Sequence, residues 1–93
     1  MSRPAPLDDA TVDNAIAALR WRREGSQLVF EETLPSFAAA LGFVVSVGAL
    51  AEAADHHPDI DLRFRTVRLV LTTHDAGALT ELDLALARGI DAL

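Results

Sequence analysis

Hydrophobic and charged residues alternate in two neighbouring segments of the second half of the chain, and each is predicted to be a strand. In residues 60–64, Ile, Leu and Phe alternate with Asp and Arg, as in a half-buried strand. Residues 67–72 repeat the alternation, and the predicted turn between the two strands is Arg65-Thr66. Earlier in the chain, the strand formers of residues 27–33 follow a turn signal at Gly25, which predicts a second hairpin.

Apolar residues at helical spacing predict two helices in the first half of the chain. The first covers residues 9–20 and is capped by Asp8 or Asp9. The second and longest starts at Pro35-Ser36 and must end before Pro58, because the residue before a proline is disfavoured in the α region. The expected apolar faces are Val12, Ile16 and Leu19 in the first helix, and Phe37, Leu41, Val44, Val45, Gly48 and Ala51 in the second.

A last helix is predicted to open at Thr80, where Thr80 and Asp83 have the spacing of a capping box. Its expected apolar face is Leu82, Leu86, Ile90 and Leu93. The predicted order is α-β-β-α-β-β-α in a single domain of residues 1–93, with residues 1–7 as a flexible arm. Hairpins without crossovers indicate an α+β fold, in which a four-stranded antiparallel sheet carries three helices on one face.

Composition excludes several classes of function. The chain contains no cysteine, which excludes disulfides, thiolate metal sites and cysteine nucleophiles. Its formal net charge is −6, and all eight of its basic residues are arginines. Direct binding of nucleic acid is not expected, because gripping phosphates requires clustered basic residues.

Chain length and the distribution of apolar residues indicate a soluble, cytoplasmic oligomer. The longest apolar run, residues 37–54, is interrupted by glycines and Glu52, so no membrane span is expected. No apolar signal region opens the sequence. A domain of 93 residues buries only about 60–65% of its unfolded surface. Without a disulfide or an obvious structural metal, we therefore expect a homodimer or homotetramer.

The candidate chemistry lies in three histidines, His56, His57 and His74. The predicted hairpin between them brings Pro58 next to Thr73, so that the three imidazoles share one pocket. Histidine is the side chain best suited to move protons near neutral pH. This arrangement predicts paired proton donation and abstraction.

Simpler interpretations of the same residues remain open. A histidine at a helix C-terminus can be a favourable charge near the helix dipole. Three histidines can ligate a metal, although adjacent residues of an extended chain point to opposite faces. Spacing alone indicates that Asp83 is a helix cap. Other polar and aromatic residues have structural explanations: Trp21 and Phe64 as core or interface residues, and Arg63, Arg65 and Arg68 as a solvated sheet face.

The histidines and their neighbours also form a longer pattern, which resembles the pterin-4a-carbinolamine dehydratase family. That pattern is an acidic residue, His-His-Pro, an aromatic residue, a histidine and an aspartate at set intervals. Here it occurs with every gap intact as Glu52, His56-His57-Pro58, Phe64, His74 and Asp83. The resemblance covers about residues 9–92. It implies a four-stranded antiparallel sheet with three helices on one side, assembled into dimers or tetramers.

The resemblance implies an activity that recycles the pterin cofactor of aromatic amino acid hydroxylases. The substrate is 4a-hydroxytetrahydrobiopterin, which loses water to give quinonoid dihydropterin, and no metal or cofactor is needed because the pterin is the substrate. His56, His57 and His74 are implied as the acid/base set, with Glu52 and Asp83 supporting them. The implied substrate-binding residues are His56, His57, Pro58, Thr73, His74, Asp75 and Ala76.

One departure from the family and one alternative function qualify this hypothesis. Phe64 stands where the family usually has Tyr or Trp, so the ring is kept and its polar group is lost. The alternative is a non-catalytic interaction module on the same scaffold, because some relatives are dimerisation cofactors of a homeodomain transcription factor and others resemble carboxylase assembly factors. The presence of all three histidines and both carboxylates favours the enzyme.

Overall fold

Three helices and four strands follow one another in the predicted order. The computed structural model describes residues 4–93. The elements are α1 (Asp9–Ile16), β1 (Trp21–Glu24), β2 (Gln27–Thr33), α2 (Phe37–Ala54), β3 (Asp59–Arg63), β4 (Thr66–Leu71), a 3₁₀ turn (His74–Ala76) and α3 (Glu81–Asp91).

The four strands form one antiparallel sheet in the order β1-β2-β4-β3, which joins the two predicted hairpins along β2 and β4. Gly25 turns the first hairpin with a φ of 61°, a conformation that glycine adopts without strain. The predicted inward residues of β4 are fully buried, and Leu28 and Phe30 of β2 lie opposite Leu71 and Leu69. Trp21 is also in the core, as expected. The helices cover this face of the sheet.

The second hairpin turns one residue earlier than predicted. Thr66 already pairs with Arg63 on one side and with Thr33 on the other, so the loop is Phe64-Arg65. Phe64 is therefore a turn residue with a φ of 52°, and it is 71% exposed. The alternation continued through Phe64 in the sequence, but the pairing of Thr66 ends β3 at Arg63.

Helix α1 begins as predicted and ends early. Asp8 is its N-cap and accepts a hydrogen bond from the Thr11 N–H at 2.7 Å, which holds the pKa of the Asp8 carboxyl below its ordinary value. The helix ends at Ile16, not Arg20, because the chain must turn within four residues to enter β1 at Trp21. Leu19 still packs against the core from this turn.

The buried face of α2 differs from the predicted one. Ala40, Val47 and Ala51 are its buried residues, whereas Phe37 and Val45 are exposed. Two other positions of the predicted face differ from each other: Leu41 is exposed, and Val44 is partly buried against the core. Nearly every position of this helix is apolar, so the periodicity does not define a single inward face.

Helix α2 is also long and apolar enough to cross a membrane. It has 18 residues and a mean hydropathy of 1.8, so its interruptions alone do not exclude a span by length and composition. Such figures are weak evidence, because apolar helices of soluble proteins meet them as well. In this fold α2 packs against β4 and α3.

Helix α3 opens at Thr80 with the predicted capping box. Its predicted apolar face is correct at Leu86 and Ile90, whereas Leu82 and Leu93 are exposed. The buried side also includes Leu84, Ala87 and the carboxylate of Asp83. The buried face of α3 is therefore rotated toward Asp83 relative to the predicted face.

The segment predicted as a flexible arm is anchored at its end. The Leu7 N–H donates to the Leu79 carbonyl at 2.9 Å, and Leu7 packs against the core. Pro4 is partly buried. Residues 1–3 of the predicted arm lie outside the described residues.

Candidate active site

The open end of the β3–β4 hairpin brings the three histidines to one cavity. Asp59 pairs with Val70, so the residues before β3 and those after β4 lie side by side. The cavity between them has a volume of about 300 Å³. Its lining residues are Pro4, Asp55, His56, His57, Thr72, Thr73, His74, Asp75 and Leu82.

The C-terminus of α2 sets the position of His56. Asp55 has left-handed backbone angles (φ 49°, ψ 42°), which aspartate tolerates better than most residues. The Asp55 N–H donates to the Glu52 carbonyl at 3.2 Å, and the His56 N–H donates to the Ala51 carbonyl at 3.1 Å. These two bonds form a Schellman motif, which ends the helix with a defined change of direction. His56 and His57 therefore leave α2 at a fixed angle.

His56 is held by a carboxylate that has no contact with solvent. Its Nε2 lies 2.6 Å from Oδ1 of Asp83, which is 0% exposed. The second oxygen of Asp83 accepts hydrogen bonds from the Thr80 N–H at 2.9 Å and from the Thr73 hydroxyl at 2.7 Å. Asp83 is thus a helix cap, as its spacing indicated, and at the same time the partner of His56.

His57 has its own carboxylate partner at the surface. Its Nε2 lies 2.5 Å from Oε1 of Glu52, one turn back along α2. Both side chains are largely exposed. Glu52 and Asp83 do not line the cavity; each contacts one histidine that does.

His74 reaches the cavity from the 3₁₀ turn after β4. An isolated bridge between Thr73 and Ala78 closes this loop, and Gly77 ends the turn with a φ of 60° and an N–H bond to the His74 carbonyl at 3.0 Å. The segment between β4 and α3 is therefore a short, hydrogen-bonded element that presents His74 and Asp75.

Most of the predicted substrate-binding residues lie around the cavity, but two do not. Pro58 and Ala76 are absent from its lining. Four lining residues were not among the predicted substrate-binding residues, namely Pro4, Asp55, Thr72 and Leu82. Asp55 and Thr72 are sequence neighbours of predicted residues, so extending each motif by one position would have found them. Leu82 is likewise the sequence neighbour of Asp83, whereas nothing in the sequence indicated Pro4, which lies far from the histidines along the chain.

Metal ligation gains no support from the arrangement of side chains. Within residues 4–93, no group of three or more His, Cys, Asp or Glu residues is arranged to hold an ion. Two of the three imidazoles instead have their Nε2 atoms against carboxylates. Such contacts orient an imidazole ring.

The sequence as a whole matches a known family. The family described as Pterin 4 alpha carbinolamine dehydratase matches residues 5–93. The chain belongs to this family. Curated relatives from Roseiflexus and Chloroflexus carry the provisional name pterin-4-alpha-carbinolamine dehydratase, a hydro-lyase activity. A relative from Roseiflexus sp. (strain RS-1) is 52% identical over 86 residues, covering 91% of this chain and 92% of the relative. One from Chloroflexus aurantiacus is 58% identical over 71 residues, covering 76% of each.

Two solved structures of family members are similar to this fold. A transcriptional coactivator/pterin dehydratase from Brucella melitensis has a TM-score of 0.88 and 29% identity, covering 94% of this chain and 96% of that one. A pterin dehydratase-like protein identified as a RuBisCO assembly factor in the α-carboxysome has a TM-score of 0.64 and 25% identity, covering 80% and 86%. The predicted α+β architecture is therefore confirmed.

Proposed function

We propose that the protein dehydrates pterin-4a-carbinolamine to quinonoid dihydropterin and water. The observation that carries this proposal is the convergence of His56, His57 and His74 on one cavity of about 300 Å³. Membership of the dehydratase family supports the same activity. The proposed substrate is the 4a-hydroxytetrahydrobiopterin that aromatic amino acid hydroxylases release.

The reaction needs one proton donor and one proton acceptor. The hydroxyl on carbon 4a takes a proton and leaves as water, while nitrogen 5 gives up its proton and a C4a=N5 double bond forms. One proton is given and one is taken, so there is no net oxidation or reduction. Histidines in opposite protonation states supply both functions at neutral pH.

The contact with Asp83 indicates which nitrogen of His56 takes part. An ionised carboxylate only accepts hydrogen bonds, so the His56 Nε2 facing Asp83 carries a proton. Nδ1 is then the nitrogen left for proton exchange with the substrate. His57, beside Glu52, is arranged in the same way at the surface.

The proposed enzyme is a homodimer or homotetramer. Phe37, Leu41 and Val45 of α2 are exposed apolar side chains on a chain with few other means of stabilisation. Contact between copies along this face would remove them from water, which makes α2 the proposed interface.

Turnover of the carbinolamine tests the proposal directly. A pterin-dependent hydroxylase generates the substrate in place, and its decay is followed by absorbance with and without the protein. Wild type is expected to accelerate the decay, and His57→Ala and His74→Ala are each expected to reduce turnover by roughly 100-fold or more. Arg63→Ala is the control, since Arg63 is highly exposed at the opposite end of β3.

Circular dichroism and sedimentation establish that each sample is folded and give its assembly state. If both histidine variants kept wild-type turnover, the acid/base assignment would be wrong. If wild type were folded and oligomeric but gave no acceleration, the protein would instead be a non-catalytic interaction module. The RuBisCO assembly factor that shares this fold is the corresponding example. A pull-down would then be the route to a partner.

A further inference from the structure

A buried series of hydrogen bonds lies behind His56 and reaches the cavity at Thr73. The Thr73 hydroxyl is 2.7 Å from Oδ2 of Asp83 and 2.8 Å from the hydroxyl of Thr80. Asp83 and Thr80 are fully buried, and Thr73 is 5% exposed. Oδ1 of the same carboxylate contacts His56. Thr73 is therefore one carboxylate away from a histidine of the site.

The chemistry of the groups determines the direction of these bonds. A hydroxyl has a single proton, and the Thr73 proton is donated to Asp83, because an ionised carboxylate only accepts. The proton between the two hydroxyls must then come from Thr80. Thr80 in turn accepts from the Leu82 N–H at 3.2 Å. All these donors point toward Asp83, and hydrogen bonds aligned in this way strengthen one another.

We propose that Thr73 is a positioning residue for the proton-transfer site, acting through Asp83 on His56. This role rests on the proposed dehydratase function and extends it to a residue outside the acid/base set. The Thr73 hydroxyl fixes the orientation of the carboxylate, and the carboxylate fixes the ring of His56 with its proton on Nε2.

The place of Thr73 in the chain gives the bond a second consequence. Thr73 immediately precedes His74, whereas His56 follows α2 and Asp83 belongs to α3. The bond from Thr73 to Asp83 thus joins the segment that carries His74 to the carboxylate that holds His56. It sets the separation of two acid/base groups that come from different parts of the chain. Small errors in such a separation are costly for a reaction that depends on orientation.

Packing alone does not account for a threonine at this position. Valine has nearly the same shape and would fill the same buried space without the cost of burying a hydroxyl. Thr73→Val therefore removes the hydroxyl and little else, and Thr73→Ser restores it. Thr33→Val is the matched control, because Thr33 forms a hydroxyl pair with Thr66 at 3.0 Å at the far end of β4.

Two readouts together test the proposal. In turnover assays, Thr73→Val is expected to lower kcat by roughly tenfold with KM changed less than about twofold, and Thr73→Ser is expected to restore kcat. In ¹⁵N spectra of the histidine rings, the neutral ring of wild-type His56 is expected to carry its proton on Nε2. Thr73→Val should give a mixture of tautomers at His56, while Thr33→Val leaves both readouts at wild-type values.

The ring spectra separate this proposal from the proposed function, since they need no substrate. Absence of turnover in wild type would defeat the dehydratase assignment and leave the spectra to decide the role of Thr73. A folded Thr73→Val protein with wild-type kcat and an unchanged His56 spectrum would overturn that role. If Thr73→Val does not fold, the wild-type spectrum decides: a proton on Nδ1 of His56 contradicts the proposed bond direction.

Discussion

Two adjacent histidines each contact a carboxylate, but one pair is buried and the other is in water. His56 and Asp83 are 2.6 Å apart, with side chains 10% and 0% exposed. His57 and Glu52 are 2.5 Å apart, with side chains 53% and 79% exposed. The residue types and distances are nearly the same, so the comparison isolates the effect of burial.

Burial changes what each contact contributes to the molecule. Water screens the exposed pair, and surface ion pairs contribute only about 0–1 kcal/mol. The buried carboxylate has lost its hydration, so leaving it without a hydrogen-bond partner costs roughly 1–3 kcal/mol or more. The Asp83 contact therefore holds His56 in one orientation, whereas the Glu52 contact leaves His57 free to change its partner. In the proposed dehydration, His56 would exchange its proton from a fixed position and His57 from an adjustable one.

Asp83→Asn is expected to have the largest effect, because it breaks only the buried pair. Three donors face the two oxygens of Asp83, and an asparagine has a single acceptor oxygen. Its amide N–H must therefore face either the Thr73 and Thr80 donors or the His56 Nε2, which then accepts and leaves the ring proton on Nδ1. We expect kcat to fall by about 100-fold or more, and unfolding free energy to fall by about 1–3 kcal/mol. Turnover assays and chemical denaturation measure the two effects.

Glu81→Gln is the control for this change, since Glu81 is an exposed carboxylate in the first turn of the same helix. It should leave both measurements close to wild type. An Asp83→Asn protein with at least a third of wild-type kcat would show that burial of this carboxylate has no catalytic consequence.

The cluster of histidines could be predicted from sequence because it depends on one hairpin. The segments around β3 and β4 are close in the chain, and antiparallel pairing brings their open ends together whichever residue forms the turn. The one-residue error at Phe64-Arg65 therefore left the placement of His57 and His74 correct. The same local pattern also indicated that Asp83 caps α3.

The second role of Asp83 could not be predicted in this way. Its contact with His56 joins residues 27 positions apart, one in α3 and one just after α2, and it depends on how α3 packs. The buried face of α2 could not be predicted either, because an almost wholly apolar helix has no polar face that shows which side points to solvent. The packing of helices determines both features, and the spacing of residues within one segment does not.

Glu52→Gln is expected to have a much smaller effect than Asp83→Asn. Water replaces the lost contact at His57, because both side chains are exposed. We expect kcat to change by no more than about threefold and stability by less than about 1 kcal/mol. Turnover measured at low and high salt also reports the pair, since added salt should bring wild type toward the variant. A loss as large as that of Asp83→Asn would mean that the Glu52 pair is shielded from water when substrate is bound.

Asp13→Asn extends the comparison to an exposed pair far from the histidines, and it is expected to have the smallest effect. Asp13 accepts a 2.7 Å hydrogen bond from Arg23, which holds the pKa of the Asp13 carboxyl below its ordinary value. A lowered pKa in the folded state means that the pair stabilises the fold above the ordinary Asp pKa of about 3.9. This contribution is lost as the pH falls through the lowered value.

We therefore expect Asp13→Asn to have a slightly lower Tm than wild type at pH 6, unchanged turnover, and a Tm difference that disappears on acidification. A Tm difference that grew on acidification would contradict the sign of this pKa shift, and a loss of turnover would mean that ion pairs outside the site also control His56.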